Sequence, residues 1–126
     1  MAKYVDGFVF VVPNDKTEDY IKMAEEGAKM WKRHGALEYF ECKGDDLVIK
    51  PMGDEMPLAF PILTNAKPDE TVWFSFIVFK SKEHRDEVNA KVYEDMERDK
   101  DNYKDVPMPF ETNRMAYGGF KVVVEG

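Results

Sequence analysis

The sequence predicts a single α+β domain, and three observations support this fold class. The chain has 126 residues, of which 44% are hydrophobic, enough for one hydrophobic core but not for two. Segments rich in β-branched and aromatic residues alternate with segments whose apolar residues recur every three or four positions. Pro, Gly and Asp residues separate these segments, so four strands and two helices are expected along residues 1–126.

The first strand and the first helix lie in the N-terminal third of the chain. Tyr4 to Val12 is rich in Val and Phe and ends before a proline, as a buried strand does at a turn. Asp15 and Glu18 then have the spacing of a capping box, and an apolar stripe predicts a helix that reaches His34. Gly35 suits the left-handed conformation that ends a helix.

The middle of the chain predicts a second strand followed by a long loop. Ala36 to Lys43 has the composition of a strand. Between Gly44 and Glu70 four prolines interrupt any regular period, and a short strand is expected around Leu58 to Leu63. Loops longer than about 15 residues usually carry a function, an interface or mobility.

The C-terminal half predicts two more strands with a helix between them. Thr71 to Lys80 is filled with β-branched and aromatic residues and is the third strand. Ser81 is placed to cap the second helix, whose apolar face includes Val88 and Val92. Met115 to Val124 is the fourth strand, and its Gly-Gly pair predicts a bulge or a close backbone approach.

The resulting order, βαββαβ, predicts a ferredoxin-like α+β sandwich that occupies residues 1–126 as one domain. Two helices can cover only one face of a four-stranded sheet. The other face must therefore be polar or be covered by something else.

Charge and cysteine content exclude several classes of function. Eighteen Lys and Arg face 25 Asp and Glu, a net charge of -7, so neither nucleic acid nor a membrane is an expected partner. The single cysteine, Cys42, cannot form an intrachain disulfide and is expected to be a small buried residue. Without a signal peptide or spanning segment in the sequence, a cytoplasmic location is expected.

Alternation along the strands separates two sets of side chains. One set is small and aliphatic and is assigned to the helices; it comprises Val5, Gly7, Val9, Val11, Phe120, Val122 and Val124. The other is aromatic with a few polar groups and is assigned to the uncovered face; it comprises Tyr4, Asp6, Phe8, Phe10, Trp73, Ser75, Ile77, Met115 and Tyr117. An exposed face of this kind predicts a homodimer.

The aromatic set is either an interface alone or an interface with a ligand pocket. In the second interpretation Asp6 acts as a base or an orienting group and Tyr117 holds polar atoms of the ligand, so these two are the candidate catalytic residues. Glu41, Trp73 and Ser75 are candidate ligand-binding residues. In the alternative, Asp6 only bonds to Arg114 or Tyr117 near the strand ends.

The second helix and the turn before the last strand supply further candidates. Arg85 and Asn89 share one helical face, where they could clamp an anion and orient a ligand. The alternative is that Arg85 pairs with an acidic residue of the long loop. Arg114 is also a candidate ligand-binding residue. The Asp pair after Gly44 lacks EF-hand spacing and a histidine, so no metal site is expected.

Several motifs together resemble the YbaA-like family, domain of unknown function 1428. They cover nearly the whole chain and are Tyr4-Val5-Asp6-Gly7-Phe8-Val9, Gly44-Asp45-Asp46, Glu70-Thr71-Val72-Trp73-Phe74-Ser75-Phe76, Ser81 with His84-Arg85-Asp86, Asn89-Ala90-Lys91-Val92, Arg114-Met115 and Tyr117-Gly118-Gly119-Phe120. The resemblance implies a dimeric α+β barrel, in a superfamily that includes antibiotic-biosynthesis monooxygenases and haem-degrading enzymes. The Asn, Trp and His set of the haem-degrading members has no counterpart here, so no cofactor is expected.

Two functions remain open at the level of sequence. The first is a small cytosolic homodimer that binds a small, largely apolar molecule, with cofactor-independent oxygenation or isomerisation as the activity if it is an enzyme. The second is a non-catalytic homodimer that serves as an interaction or structural module, in which the loop from Gly44 to Glu70 exchanges contacts between subunits. An enclosed cavity at the aromatic face would distinguish the first from the second.

Overall fold

The computed structural model describes residues 2–126, and this part of the chain forms one four-stranded sheet with helices. In chain order the strands and α-helices are β1 (Tyr4–Pro13), α1 (Thr17–Arg33), β2 (Glu38–Lys43), α2 (Phe60–Leu63), β3 (Glu70–Phe79), α3 (Lys82–Arg98) and β4 (Ala116–Lys121). Apart from the one-turn helix α2 inside the long loop, this is the βαββαβ order, and the ferredoxin-like α+β fold is confirmed.

The sheet has the strand order β2-β3-β1-β4, and every neighbouring pair is antiparallel. β1 and β2 therefore run parallel with β3 between them, which is the split βαβ arrangement. In the register Asp6 lies opposite Ile77 on β3 and Gly119 on β4, while Ser75 lies between Phe8 and Glu41. The side chains of Asp6, Phe8, Glu41, Ser75 and Ile77 share one face of the sheet, because facing residues point to the same side.

The helices α1 and α3 cover the face that carries Asp6 and Ser75. One core cluster joins α1 to the sheet and contains Phe10, Val12, Tyr20, Ala24 and Trp73. A second joins α3 to the sheet and contains Ala36, Ile77, Phe79, Val88 and Val92. Apolar area removed from water by these two clusters is the main source of stability for the sandwich.

The sequence prediction assigned the helices to the wrong face of the sheet, although it grouped the strand residues of each face correctly. Val5, Gly7 and Val9 alternate with Asp6, Phe8 and Phe10, but it is the second group that lies under the helices. Alternation identifies which residues share a face but not which face the helices cover. The polar residues of the aromatic set were interpreted as ligand-binding groups. In the structure, the hydrogen-bond partners of Asp6 are side chains of the helix that covers it.

The helix-free side of the sheet, called the open face below, is strongly apolar. It comprises Val5, Gly7, Val9, Glu38, Phe40, Cys42, Phe74, Phe76, Val78, Ala116, Gly118 and Phe120. At one end of it, Val72 is buried beside Leu47 and Ala66 of the long loop. Cys42 is exposed on this face, so the prediction of a buried cysteine is wrong.

Helix ends agree with the sequence prediction at α3 but not at α1. The Ser81 hydroxyl accepts a hydrogen bond from the backbone N–H of His84 at 3.1 Å, which confirms the predicted cap. A 3₁₀ turn at Asn14–Lys16 precedes α1, and the Asp15–Glu18 capping box does not form. The strand expected around Leu58 to Leu63 is instead the single turn α2.

The Gly-Gly pair of β4 gives a close approach and not a bulge. β4 pairs with β1 in an unbroken register from Ala116 to Lys121. The Tyr4 ring lies over Gly119, where a Cβ atom would collide with the phenol. Glycine is therefore required here by the space that Tyr4 occupies.

No α-helix within residues 2–126 is long and apolar enough to cross a membrane.

Candidate functional site

Asp6 is buried under α3 and is held by two side chains of that helix. Its carboxylate accepts a hydrogen bond from Arg85 Nη1 at 2.7 Å and a longer one from Asn89 Nδ2 at 3.3 Å. The side chains of Asp6 and Arg85 are both largely shielded from water. Because Arg85 and Asn89 are one helical turn apart, both reach the same carboxylate. The predicted pairing of these two residues on one helical face is therefore realised.

The same network extends to α1 and to the surface. The indole N–H of Trp31 donates to Asn89 Oδ1 at 2.9 Å, so the Asn89 amide connects α1 to β1. Arg85 Nε donates to Asp86 at 2.8 Å, and its guanidinium lies 4.8 Å from the centre of the Tyr4 ring. We call Asp6, Trp31, Arg85 and Asn89 the Asp6 cluster. Arg85 pairs with Asp6 and Asp86, and not with the long loop.

Burial raises the pKa of Asp6 above its ordinary value, while the charge of Arg85 and the hydrogen bonds from Asn89 and Arg85 oppose this effect. Both carboxylate oxygens are already engaged by the cluster. The geometry is therefore that of a structural ion pair that fixes α3 on the sheet. The alternatives considered from sequence, Arg114 and Tyr117, are not the hydrogen-bonding partners of Asp6.

A second polar group lies under α1 and contains no cation. The Tyr20 hydroxyl lies 2.7 Å from both oxygens of Glu41, so its single O–H donates one hydrogen bond that the carboxylate shares. Burial raises the pKa of Glu41, although hydrogen bonds from Tyr20, Ser75 and Tyr39 act in the opposite direction. We call Glu41, Tyr20, Tyr39 and Ser75 the Glu41 cluster. The structure thus brings Glu41 and Ser75 together, as expected from sequence, but beneath a helix.

The remaining aromatic candidates, Trp73 and Tyr117, lie apart from each other. Trp73 is buried against Tyr20, with ring centres 5.0 Å apart, and its indole N–H is a buried donor without a hydrogen-bond partner among the described residues. Tyr117 is 72% exposed and stacks on Phe8 with ring centres 5.6 Å apart. Trp73 belongs to the core, whereas Tyr117 lies on the uncovered edge of the helix-covered side.

Arg114 is not hydrogen-bonded to the Asp6 cluster. It links the start of β4 to β3 instead. It donates two hydrogen bonds to the Glu70 carboxylate, at 2.6 and 2.9 Å, and one to the Asn65 carbonyl at 3.0 Å. The hydrogen bonds from Arg114 lower the pKa of Glu70 to about 2. Glu70 therefore stays ionised across the physiological range and neutralises Arg114.

Arg114 also borders a cleft of about 430 Å³ that is half open to solvent. Val9 and Ala116, a facing pair on the open face, form its apolar part. Leu63, Thr64 and Asn65 of the α2 region complete the lining. We call this the α2 cleft. Arg114, which the sequence predicts to bind a ligand, therefore borders a cleft that is large enough for a small molecule.

Sequence reasoning missed the aromatic residues of the open face. Phe40, Phe74 and Phe76 form a contiguous group, with ring centres 5.1 Å apart for Phe40 and Phe76 and 5.7 Å for Phe74 and Phe76. The signal was present, because every second residue from Val72 to Val78 is apolar. The aromatic residues on the other side of the same strand obscured it.

Among residues 2–126, no three His, Cys, Asp or Glu side chains are grouped in a way that could hold a metal ion.

Comparison with known proteins gives a consistent family and fold. Residues 3–112 match the family model described as "Protein of unknown function (DUF1428)". The chain is 40% identical over 123 residues to proteins named "Uncharacterized protein YbaA" from Escherichia coli (strain K12) and Shigella flexneri, with 98% of each chain covered.

Two solved structures share the fold. Both are described as dimeric ferredoxin-like proteins from an uncultured marine organism. They have TM-scores of 0.60 and 0.54 and sequence identities of 13% and 12%, with all of this chain covered and 98% and 100% of theirs. At this identity the match shows the ferredoxin-like fold.

The Asp6 cluster predicts a large effect of removing the guanidinium of Arg85. Arg85→Met leaves the Asp6 carboxylate buried without a cation, and we expect the free energy of unfolding at neutral pH to fall by about 3 kcal/mol. Urea unfolding measures this. Arg98→Met is the matched control, because Arg98 is exposed and its partner Asp95 keeps contacts with Arg33 and His34; it should cost less than about 1 kcal/mol. Equal losses would contradict a structural role for the Asp6–Arg85 pair.

The Glu41 cluster predicts a specific pH dependence of stability. Since folding raises the pKa of Glu41, the folded chain binds this proton more tightly than the unfolded chain does. The free energy of unfolding therefore gains a contribution as the pH falls through the raised pKa toward the ordinary value of 4.5. Glu41→Gln should remove this contribution without lowering stability at neutral pH, as measured by urea unfolding at several pH values.

Glu25→Gln, at an exposed position of α1, is the control and should retain the pH dependence of the native chain. If the Glu41→Gln variant also retained the pH dependence of stability, the carboxyl of Glu41 would not be the source of that dependence.

Proposed function

This chain belongs to the DUF1428 family of proteins of unknown function, and we propose that it functions as a homodimer in which two open faces pack together. The observation that carries this proposal is the exposure of large aromatic side chains on the open face. Phe40, Phe74 and Phe120 are 46%, 45% and 62% exposed. A contiguous apolar surface of this kind marks a site of protein–protein interaction.

A second copy of the chain is the partner that the open face fits best. The middle of this face is uncharged, because Val5, Gly7 and Val9 face Phe74, Phe76 and Val78, whereas its carboxylates, Glu38 and Glu70, lie at its margins. Two molecules of net charge -7 repel each other, so an uncharged self-complementary patch is where they can approach with the least electrostatic cost. The fold shared with proteins described as dimeric supports the same proposal.

The arrangement of the polar residues favours a non-catalytic interaction or structural module over an oxygenase or isomerase. A general base must have an oxygen atom that can reach a ligand. Both oxygens of Asp6 are engaged by Arg85 and Asn89, and the Glu41 carboxylate is engaged by Tyr20, Tyr39 and Ser75. These carboxylates serve the packing of α3 and α1 on the sheet.

A second candidate function, binding of a small and largely apolar molecule, is supported by the α2 cleft. Its volume of about 430 Å³ lies within the range of about 300 to 1,000 Å³ that is usual for ligand sites. The Arg114–Glu70 pair beside it is neutral overall, which fits an uncharged ligand. Because Val9 and Ala116 belong to the open face, packing of a second copy on that face would narrow the mouth of the cleft.

The homodimer predicts opposite results for two exposed aromatic residues of β4. Phe120→Asp places a charge in the proposed interface, where burying it unpaired is costly, so we expect a monomer. Tyr117→Asp is the matched control, because Tyr117 is equally large and exposed but lies on the other side of the strand. Light scattering coupled to size exclusion should show a monomer for Phe120→Asp and a dimer for Tyr117→Asp. A dimer for both variants would contradict this interface.

The α2 cleft predicts that filling its apolar side weakens binding of an apolar probe. We expect saturable binding of the uncharged dye N-phenyl-1-naphthylamine to the native chain, and affinity about tenfold weaker for Ala116→Trp. Ala90→Trp, on the exposed side of α3, is the control and should bind the probe as the native chain does. Fluorescence titration measures the affinities, and light scattering on the same samples reports the oligomeric state. Equal affinities for both variants would exclude the cleft as the site.

A further inference from the structure

We propose that residues 48–58 form an arm that packs against the second copy of the chain in the homodimer. This inference rests on the proposed function and extends it, because it adds a contact surface outside the sheet. It assigns a role to the N-terminal half of the long loop between β2 and β3.

Four apolar side chains of the arm are largely exposed. Val48, Met52, Met56 and Leu58 are 82%, 74%, 58% and 64% exposed. Single exposed apolar residues are normal on a protein surface, but four within eleven consecutive residues are a local concentration of exposed apolar area. Leu47, immediately before the arm, instead packs back beside Val72.

The arm has local order but almost no hydrogen bonds to the rest of its own chain. Met52 and Glu55 form a backbone bridge, with N–H to carbonyl distances of 2.8 and 3.2 Å, around a turn in which Gly53 has a φ of 65°. Within residues 2–126, these two are the hydrogen bonds that residues 48–58 make. The arm is therefore shaped by its own turn, and its apolar side chains are left for another surface.

Both ends of the arm are attached beside the open face. Before the arm, the Gly44 N–H donates to the Val72 carbonyl on β3 at 2.7 Å. After it, the chain enters α2, whose Leu63 lines the α2 cleft together with Val9 of the open face. If a second copy packs on the open face, its surface therefore lies next to the arm.

The three most exposed phenylalanines of the open face supply less than half of the area that a stable dimer needs. A phenylalanine buries roughly 200 Å², so the exposed parts of Phe40, Phe74 and Phe120 supply about 100 Å² each. Specific interfaces bury roughly 800 Å² on each partner. The four apolar side chains of the arm supply much of the difference, and burying them against an apolar face contributes about 25 cal/mol for each Å².

Substitution of Met56 tests whether the arm takes part in dimerisation. Sedimentation equilibrium should show a dimer dissociation constant at least about tenfold higher for Met56→Asp than for the native chain. Met108→Asp is the matched control, since Met108 is the same residue type and is 55% exposed outside both the arm and the open face. It should leave the dissociation constant within about twofold.

A cross-linking experiment shows directly what the arm touches. A photoreactive benzoylphenylalanine at position 56, in a mixture of isotope-labelled and unlabelled chains, should give cross-links between labelled and unlabelled peptides of the open face or the opposite arm. Cross-links confined to peptides of one chain would overturn the proposal.

The outcomes separate this inference from the homodimer itself. If Phe120→Asp is monomeric while Met56→Asp dimerises as tightly as the native chain, the homodimer stands and the arm proposal is overturned. If the native chain is monomeric at all concentrations, the homodimer fails and the arm proposal fails with it. Weakening by Met56→Asp but not by Met108→Asp, with cross-links between chains, supports both.

Discussion

The ion pair between Asp6 and Arg85 decides which side of the sheet the helices cover. A buried carboxylate on a central strand is costly unless a cation and further donors engage it. α3 supplies both from residues one turn apart, and Trp31 of α1 joins the same network through Asn89. Asp6 therefore directs α3 and α1 to its own side of β1, and a sheet packed the other way would leave the Asp6 carboxylate without these partners.

The open face follows from this constraint. With both long helices on the Asp6 side, the alternate residues of β1, β2, β3 and β4 have no helical cover, and several of them are large and apolar. The long loop covers only one end of that face, near Val72. The proposed dimerisation through the open face follows from the same arrangement, because the polar residues that could have served a ligand are used to hold the helices.

Much of the fold could be predicted from the sequence, and the error in the site has a definite physical cause. Strand composition, helical periodicity and the Ser81 cap are local properties, and they gave the βαββαβ order. The partners of Asp6 are 79 and 83 residues away, and such contacts leave no local pattern. Alternation placed Trp73, Ser75 and Tyr117 on the same side as Asp6, but it could not show that this side lies under the helices. The open-face aromatics were missed for the same reason.

Sedimentation equilibrium of the unmodified chain, from nanomolar to tens of micromolar concentrations, tests the central claim most directly. An open face that is covered by a second copy predicts a single species with twice the mass of one chain at the upper concentrations, and reversible dissociation on dilution. A species with the mass of one chain throughout would contradict the account, since the exposed aromatic residues of the open face would then remain in water without a partner.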